Sequence, residues 1–222
     1  MGSNSYALLL DGGFVAVRLS RALKRFPTAD DIEAACERIK AHELLKDMRL
    51  LRAYFYNAPP FTETVTNPID SSRIELGRDP NVARNTSLHD SLEMKPDFAL
   101  RMGTTVCHGW KVNRSALRDL ARTSRPLRAE DMQPHIEQKG VDLRIGLDIA
   151  RLSLNRLVST IVIVSGDSDL VPAFKFARRE GIRVYLDTMR HGVRRELKAH
   201  ADRILDAAYR APPEASAPTS AP

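Results

Sequence analysis

The residue type whose placement carries chemistry in this chain is aspartate. Asp11 closes the apolar run Tyr6 to Leu10 and is followed by Gly12-Gly13. Asp167 and Asp169 lie in Ser165-Gly166-Asp167-Ser168-Asp169, directly after the apolar run Thr160 to Val164, and Asp142 opens a helical pattern at Gly140-Val141-Asp142. In open α/β sheets, ligand sites form outside the carboxyl ends of the strands, so acids placed there converge even when far apart in sequence. Crowded carboxylates repel one another, and a hard cation such as Mg²⁺ or Mn²⁺ relieves that repulsion while keeping water and substrate phosphate in its shell. An ion held this way lowers the pKa of a bound water and orients it for in-line attack on a phosphodiester. Asp11, Asp142, Asp167 and Asp169 are therefore the candidate catalytic and metal-binding residues. One aspartate after one strand is more often a turn or capping residue; it is the four together that favour a site. Asp148 lies further round the helix from Asp142, where pairing with Arg144 or Arg151 accounts for it, with an accessory role at most.

The elements that position these acids follow from hydrophobic period and turn chemistry. Tyr6 to Leu10 reads as a buried strand, and Phe14, Val17, Leu19 and Leu23 as a helix reaching Phe26-Pro27. Thr28 or Asp30 caps a second helix bearing Ile32, Ala35, Cys36 and Ile39, and Leu50 to Tyr56 is a strand stopped by Pro59-Pro60. Residues 57–128 form a loop and hairpin excursion in which Phe98 to Thr105 and His108 to Val112 pair through a turn near Val106 to Gly109. Leu143, Leu147, Ile149 and Leu152 give the Asp142 helix its apolar face. Thr160 to Val164 is the clearest buried strand, followed by a helix from Leu170 to Glu180 capped by Gly181 and a strand from Ile182 to Leu186. Val193 to Tyr209 reads as a basic amphipathic helix, and 210–222 as a disordered tail rich in Ala, Pro and Ser. Alternating strands and helices imply a mainly parallel central sheet in one α/β domain over residues 1–209.

Composition narrows the partners. A chain of 222 residues with a formal charge of +6 attracts polyanions. Two cysteines, Cys36 and Cys107, are too few for a disulfide framework and lack zinc-site spacing, so both read as reduced thiols. No apolar run is long enough to span a membrane, no signal peptide pattern opens the chain, and Tyr6 breaks the myristoylation pattern that Met1-Gly2 begins. The expectation is a cytoplasmic protein with no membrane partner. Lys139 and Arg144, which flank Asp142, together with Arg194 and Arg195 and the neighbouring Arg190, His191 and Lys198, are candidate phosphate contacts. Arg194, Arg195 and Lys198 are equally well read as a solvated helix face. Ser165 and Ser168 offer hydroxyls to a phosphate or to their own turn. Trp110 and Tyr54-Phe55-Tyr56 can stack on bases if exposed but are more often core. The histidines 42, 89, 108, 135 and 200 lack ligand or triad spacing.

On these residues the sequence resembles the NYN domain family of PIN-like nucleases, in its bacterial LabA-like branch, from Tyr6 to about Leu205. Leu8-Leu9-Leu10-Asp11-Gly12-Gly13-Phe14 is similar to the family's first strand and first acid, with Gly13-Phe14 where many members have an Asn. Lys139-Gly140-Val141-Asp142, continuing to Asp148, is similar to its Lys-Gly-Val-Asp segment. Val162-Ile163-Val164-Ser165-Gly166-Asp167-Ser168-Asp169-Leu170-Val171-Pro172 looks like its most diagnostic motif, and Gly181-Ile182-Arg183-Val184 like the strand that follows. The resemblance implies a PIN-like three-layer α/β/α fold, a Mg²⁺ or Mn²⁺ site and ribonuclease activity, with RNA favoured over DNA. A nuclease acting on DNA or flap structures uses the same chemistry, and a non-catalytic nucleic-acid-binding or regulatory module keeps the same acids. A nucleotide-binding enzyme of another doubly wound fold is disfavoured, since neither a Gly-x-Gly-x-x-Gly nor a Walker pattern is present. An exposed hairpin edge permits a homodimer, and a regulatory protein partner is the other expected association.

Overall fold

The computed structural model describes residues 4–205 and 207. In chain order its strands and helices are β1 (Ser5–Asp11), α1 (Gly12–Leu23), α2 (Ala29–Lys40), β2 (Arg49–Asn57), β3 (Thr64–Thr66), β4 (Arg73–Glu75), α3 (Pro80–Glu93), β5 (Phe98–Met102), β6 (Thr104–Val112), α4 (Arg114–Thr123), β7 (Met132–Lys139), α5 (Val141–Leu154), β8 (Thr160–Val164), α6 (Val171–Arg179), β9 (Arg183–Asp187), α7 (Arg195–Ala199) and β10 (Arg203–Ile204). Six strands form one parallel sheet in the order β10-β9-β8-β1-β2-β5. Helices cover both faces. Tyr6, Leu8 and Leu10 pack with Val15, Leu19, Ile32 and Leu92 on one side. Ala7 and Leu9 pack with Ile145, Ile149 and Phe174 on the other. A strand buried on both faces cannot alternate apolar with polar, which is why β1 and β8 read as continuous apolar runs. Each fully buried aliphatic side chain of this kind contributes about 1.5–3 kcal/mol. The result is the three-layer α/β/α arrangement of a PIN-like fold.

Local signals set several boundaries as the sequence implies. Thr28 accepts from Asp31 N at 3.3 Å while the Asp31 carboxylate takes the Thr28 N–H at 2.7 Å, a capping box that starts α2. Gly181 adopts φ +82° just after α6, where only glycine is unstrained. Gly12 is required for a different reason: a Cβ there would lie 2.6 Å from both the Phe55 ring and the Tyr56 carbonyl, so α1 can leave β1 beside β2 only without a side chain.

Three expectations are corrected. The hairpin between Phe98–Thr105 and His108–Val112 does not form. β5 joins the central sheet in parallel beside β2, and β6 runs unbroken to Val112, pairing antiparallel with β7. Gly103 makes the corner between them, since a Cβ there would meet the Lys139 carbonyl at 2.5 Å. Gly109, at φ +84°, serves a bulge inside β6 and not a turn. β7 escapes a periodicity reading because Pro134 interrupts its ladder, and it is placed opposite Trp110 beside that bulge. The excursion also carries more order than a loop and hairpin, including α3 and the β3–β4 pair.

The helix expected from Val193 to Tyr209 is instead the short α7 and then β10. Asp202 N donates to the Val184 carbonyl at 2.7 Å and Leu205 N to that of Leu186 at 2.9 Å, so pairing with β9 overrides helix propensity. Ile204 and Leu205 consequently pack on opposite faces of the sheet, as strand parity requires. Third, Leu143 and Leu147 are exposed, at 65% and 60%, and the face of α5 that packs is Ile145, Ile149 and Leu152. Tyr209 and the expected tail 210–222 lie outside the described residues. Among the described residues no helix is long and apolar enough to cross a membrane.

Candidate functional site

The register of the sheet sets the ends of β1 and β8 side by side: Leu10 pairs with Val164 and Asp11 with Tyr56. Asp11 therefore projects at the carboxyl edge, and Ser165, the first residue past β8, reaches it there. Ser165 Oγ donates to Asp11 Oδ2 at 2.9 Å, and Phe14 N donates to Oδ1 at 3.1 Å. The same Ser165 hydroxyl accepts from Asp167 N at 3.1 Å, so one buried side chain fixes both the first acid and the turn that carries the third. Asp167 Oδ1 in turn accepts from Asp169 N at 2.9 Å, which starts the helical turn ahead of α6 and leaves the Asp169 side chain toward solvent. Gly166 lets the turn approach α1, because a Cβ there would lie 2.7 Å from the Phe14 ring. Phe14, standing where the family often has Asn, packs over that glycine and tilts against His191, ring centroids 6.1 Å apart. Asp142 enters from the first turn of α5, after Gly140 at φ +74° redirects the chain out of β7.

Electrostatics ties the acids into one set. Burial pushes the Asp11 carboxyl above the usual carboxylate range, the Phe14 and Ser165 hydrogen bonds pull it back, and the charge of Asp167 raises it again. Asp142 is raised by burial and then by Asp167, Asp11 and Asp169. Asp142 thus lies in the field of the other three expected acids. Among the described residues, however, no three His, Cys, Asp or Glu side chains are arranged to hold a single ion directly.

The candidate phosphate contacts fare differently. Arg194 reaches the edge, its Nη1 donating to Ser168 Oγ at 3.2 Å. Lys139 is engaged by Glu137, whose carboxyl it holds below the usual range. Arg144 folds back to donate to the Gly140 carbonyl at 3.0 Å. Arg195 and Lys198 lie exposed on α7. Tyr54, Phe55 and Tyr56 are core.

Asp148 has partners that its helix did not reveal. Tyr56 Oη donates to Asp148 Oδ2 at 2.9 Å and Arg101 Nε at 3.0 Å, with Arg151 only at 3.9 Å. The Arg101 guanidinium also lies 4.9 Å from the Tyr54 ring centroid. Asp187 went unsuspected although the rule that found Asp11 applies to it: it ends β9 opposite Val164, is 1% exposed, and accepts from Met189 N at 2.7 Å. His108 and His135 meet across the β6–β7 ladder, where Glu137 lies 2.8 Å from His135 Nε2 and 3.7 Å from His108 Nε2, a cluster that only strand pairing brings together.

A parallel α/β/α sheet with acids gathered at its carboxyl edge defines a class, the PIN-like nuclease folds. Within it, the model of the NYN domain family matches residues 106–208. Asp142, Asp167 and Asp169 fall inside the match, and Asp11 before it. The uncharacterized protein y4oD of Sinorhizobium fredii (strain NBRC 101917 / NGR234) is 40% identical over 50 residues, which span 22% of this chain and 23% of that protein. A crystal structure of a protein of unknown function from Vibrio parahaemolyticus RIMD 2210633 is similar at a TM-score of 0.49 and 15% identity, over 92% of this chain and 93% of that one.

Proposed function

We propose that this protein is a metal-dependent endonuclease that hydrolyses phosphodiester bonds, with RNA as the favoured substrate and Asp11, Asp142, Asp167 and Asp169 as its acidic centre. The observation that carries the reading is electrostatic: at one edge the charge of Asp167 raises Asp11, and those of Asp167, Asp11 and Asp169 raise Asp142, with no lysine or arginine bonded to Asp11 or Asp142 among the described residues. An arrangement that costs folding energy at neutral pH has a rationale if a cation relieves it. The donor set suits Mg²⁺ or Mn²⁺, which take hard oxygens and are commonly bound by one or two carboxylates, the remaining positions going to water and substrate phosphate. Bound there, such an ion supplies charge neutralisation and a water acidic enough to act as a nucleophile at neutral pH. The chain's own residues do the positioning. Ser165 orients the Asp11 carboxylate and the Asp167 turn together. Arg194 presents a cation beside Ser168 for a phosphate oxygen. The Asp142 carboxylate, exposed at the rim, faces incoming substrate.

The test is cleavage of labelled single-stranded RNA and matched DNA with Mg²⁺, Mn²⁺ or EDTA, beside the Asp167→Asn variant. Cutting that needs the metal and disappears in the variant supports the reading and gives the preferred sugar. Tight binding without cutting under every condition sinks it in favour of a binding or regulatory module.

A further inference from the structure

On the flank of the sheet away from the acids, the carboxyl-terminal half of α6, the first residue of β9 and β10 enclose an open cavity of about 700 Å³. Its walls carry Lys175, Arg178, Arg179, Arg183 and Arg203 against a single acid, Asp202. Asp202 is already committed: it pairs with Arg178 at 2.9 Å and accepts from Val184 N at 2.8 Å. Lys175, Arg179, Arg183 and Arg203 have no ion-pair partner among the described residues. Placed on a bare surface they would read as a solvated face and as charges that blunt a sheet edge. Their convergence on one concavity is the reason to ask what they hold.

The chain path links this cavity to the acid edge. β9 ends at the acid edge with Asp187, and the loop beyond it brings Arg194 to Ser168. The chain then returns through α7, displaying Arg195 and Lys198 with one acid, Glu196, before β10 lays Arg203 opposite Tyr185. The exposed cations Arg194, Arg195, Lys198 and Arg203 therefore follow the chain from the acid edge back to the cavity, over a drop of roughly 16 Å, the length of a five-residue strand. Tyr185, the aromatic residue in the cavity wall, is 4% exposed and cannot offer its face to a base. Charge without an exposed stacking ring suits backbone phosphates over bases.

We infer that this basic track holds the single-stranded continuation of the nucleic acid whose scissile phosphate lies at the acid edge, gripping it by its phosphates and without sequence preference. The inference rests on the nuclease reading for the direction of the strand, but binding tests it separately. The experiment measures fluorescence anisotropy of labelled single-stranded RNA in EDTA, comparing a dinucleotide with an oligomer of about twelve nucleotides. The proteins are the wild type, the triple variant Arg179→Gln, Arg183→Gln, Arg203→Gln, and a charge-matched control, Arg114→Gln, Arg118→Gln, Arg122→Gln, whose arginines lie on α4.

The flank variant should lose about tenfold or more in affinity for the long RNA, with the salt dependence shallower by about 2 in log–log slope, at roughly 0.7 per phosphate contact. Dinucleotide binding should not change, and the α4 control should move by less than about twofold. Unchanged long-RNA affinity in the flank variant overturns the track, as does an equal loss in the control, which would mark a diffuse effect of net charge. If the wild type binds long RNA through the flank yet never cuts it, the track stands and the nuclease reading falls.

Discussion

The aspartates of this protein fall into two populations. At the carboxyl edge Asp11 is raised by burial and by the charge of Asp167, and Asp142 by partial burial and by the charges of Asp167, Asp11 and Asp169. In the β6–β7 arm, Asp131 has the opposite fate: the Arg125 guanidinium grips it through two bonds of 2.6 and 2.8 Å, Arg128 N adds a third at 2.8 Å, and its carboxyl falls to about 2. Asp148 belongs with Asp131, since Arg101 and Tyr56 hold it at 3.0 and 2.9 Å. One residue type thus builds structure where the fold supplies a cation and gathers uncompensated at the carboxyl edge where the fold withholds one. The difference is invisible in composition and follows from which strand ends and helix faces meet.

The comparison breaks most visibly in activity. Asp11→Asn and Asp142→Asn should each lower metal-dependent cleavage on the order of a thousandfold, since several kcal/mol of transition-state charge stabilisation is at stake. Neither should lower stability at pH 7. In the folded protein both carboxyls are raised, so each contributes stability below its unfolded value and loses it as pH rises through the folded value. The amides remove that loss, and the Asn oxygen at position 11 can still accept the Phe14 N–H. Cleavage assays paired with urea unfolding check both halves. A variant that unfolds more easily and cuts normally would place these acids with Asp131.

Asp148→Ala should do the reverse. Removing the acceptor leaves the buried Tyr56 hydroxyl unsatisfied, at a cost of about 1–3 kcal/mol, and releases Arg101. Cleavage per folded molecule should stay within a few-fold of wild type. A Tyr56→Phe, Asp148→Ala double variant should recover part of the loss, because no orphaned hydroxyl remains. A collapse of activity without loss of stability would move Asp148 into the site.

How much of this was legible follows the kind of information each element needs. β1, β8 and the glycine turns after them announce themselves locally, so Asp11, Asp167 and Asp169 could be placed at neighbouring strand ends, with Asp142 added from the start of a helix. β7 could not, because Pro134 breaks its period and its partner β6 lies across α4. β10 fits a helical pattern as well, because Leu197, Ala201, Ile204 and Leu205 recur at a period of 3.6, and only the free edge of β9 decides between the patterns. The partners of Asp148 are non-local as well: Arg101 and Tyr56 stand 47 and 92 residues away in sequence. Asp187, at the end of β9, is legible by the same strand-end rule as Asp11.

The finest way to sharpen the contrast is acid titration. The carboxyl of Asp131 lies at about 2 in the folded protein against an ordinary 3.8, so its contribution to stability is complete above that ordinary value and is lost as pH falls toward 2. Asp11 and Asp142 titrate with the opposite sign, gaining stability as they protonate on the way down. The wild type should therefore gain stability through the acid edge as pH falls toward 4, where that gain is complete, and lose stability through the arm below pH 4. An Asp131→Asn variant should start less stable at neutral pH and show a shallower fall below pH 4, and an Asp11→Asn, Asp142→Asn variant should lack the gain above pH 4. Urea midpoints collected from pH 7 to pH 3 separate these slopes. Parallel curves for all three proteins would mean that the two populations of aspartate do not differ in the folded state.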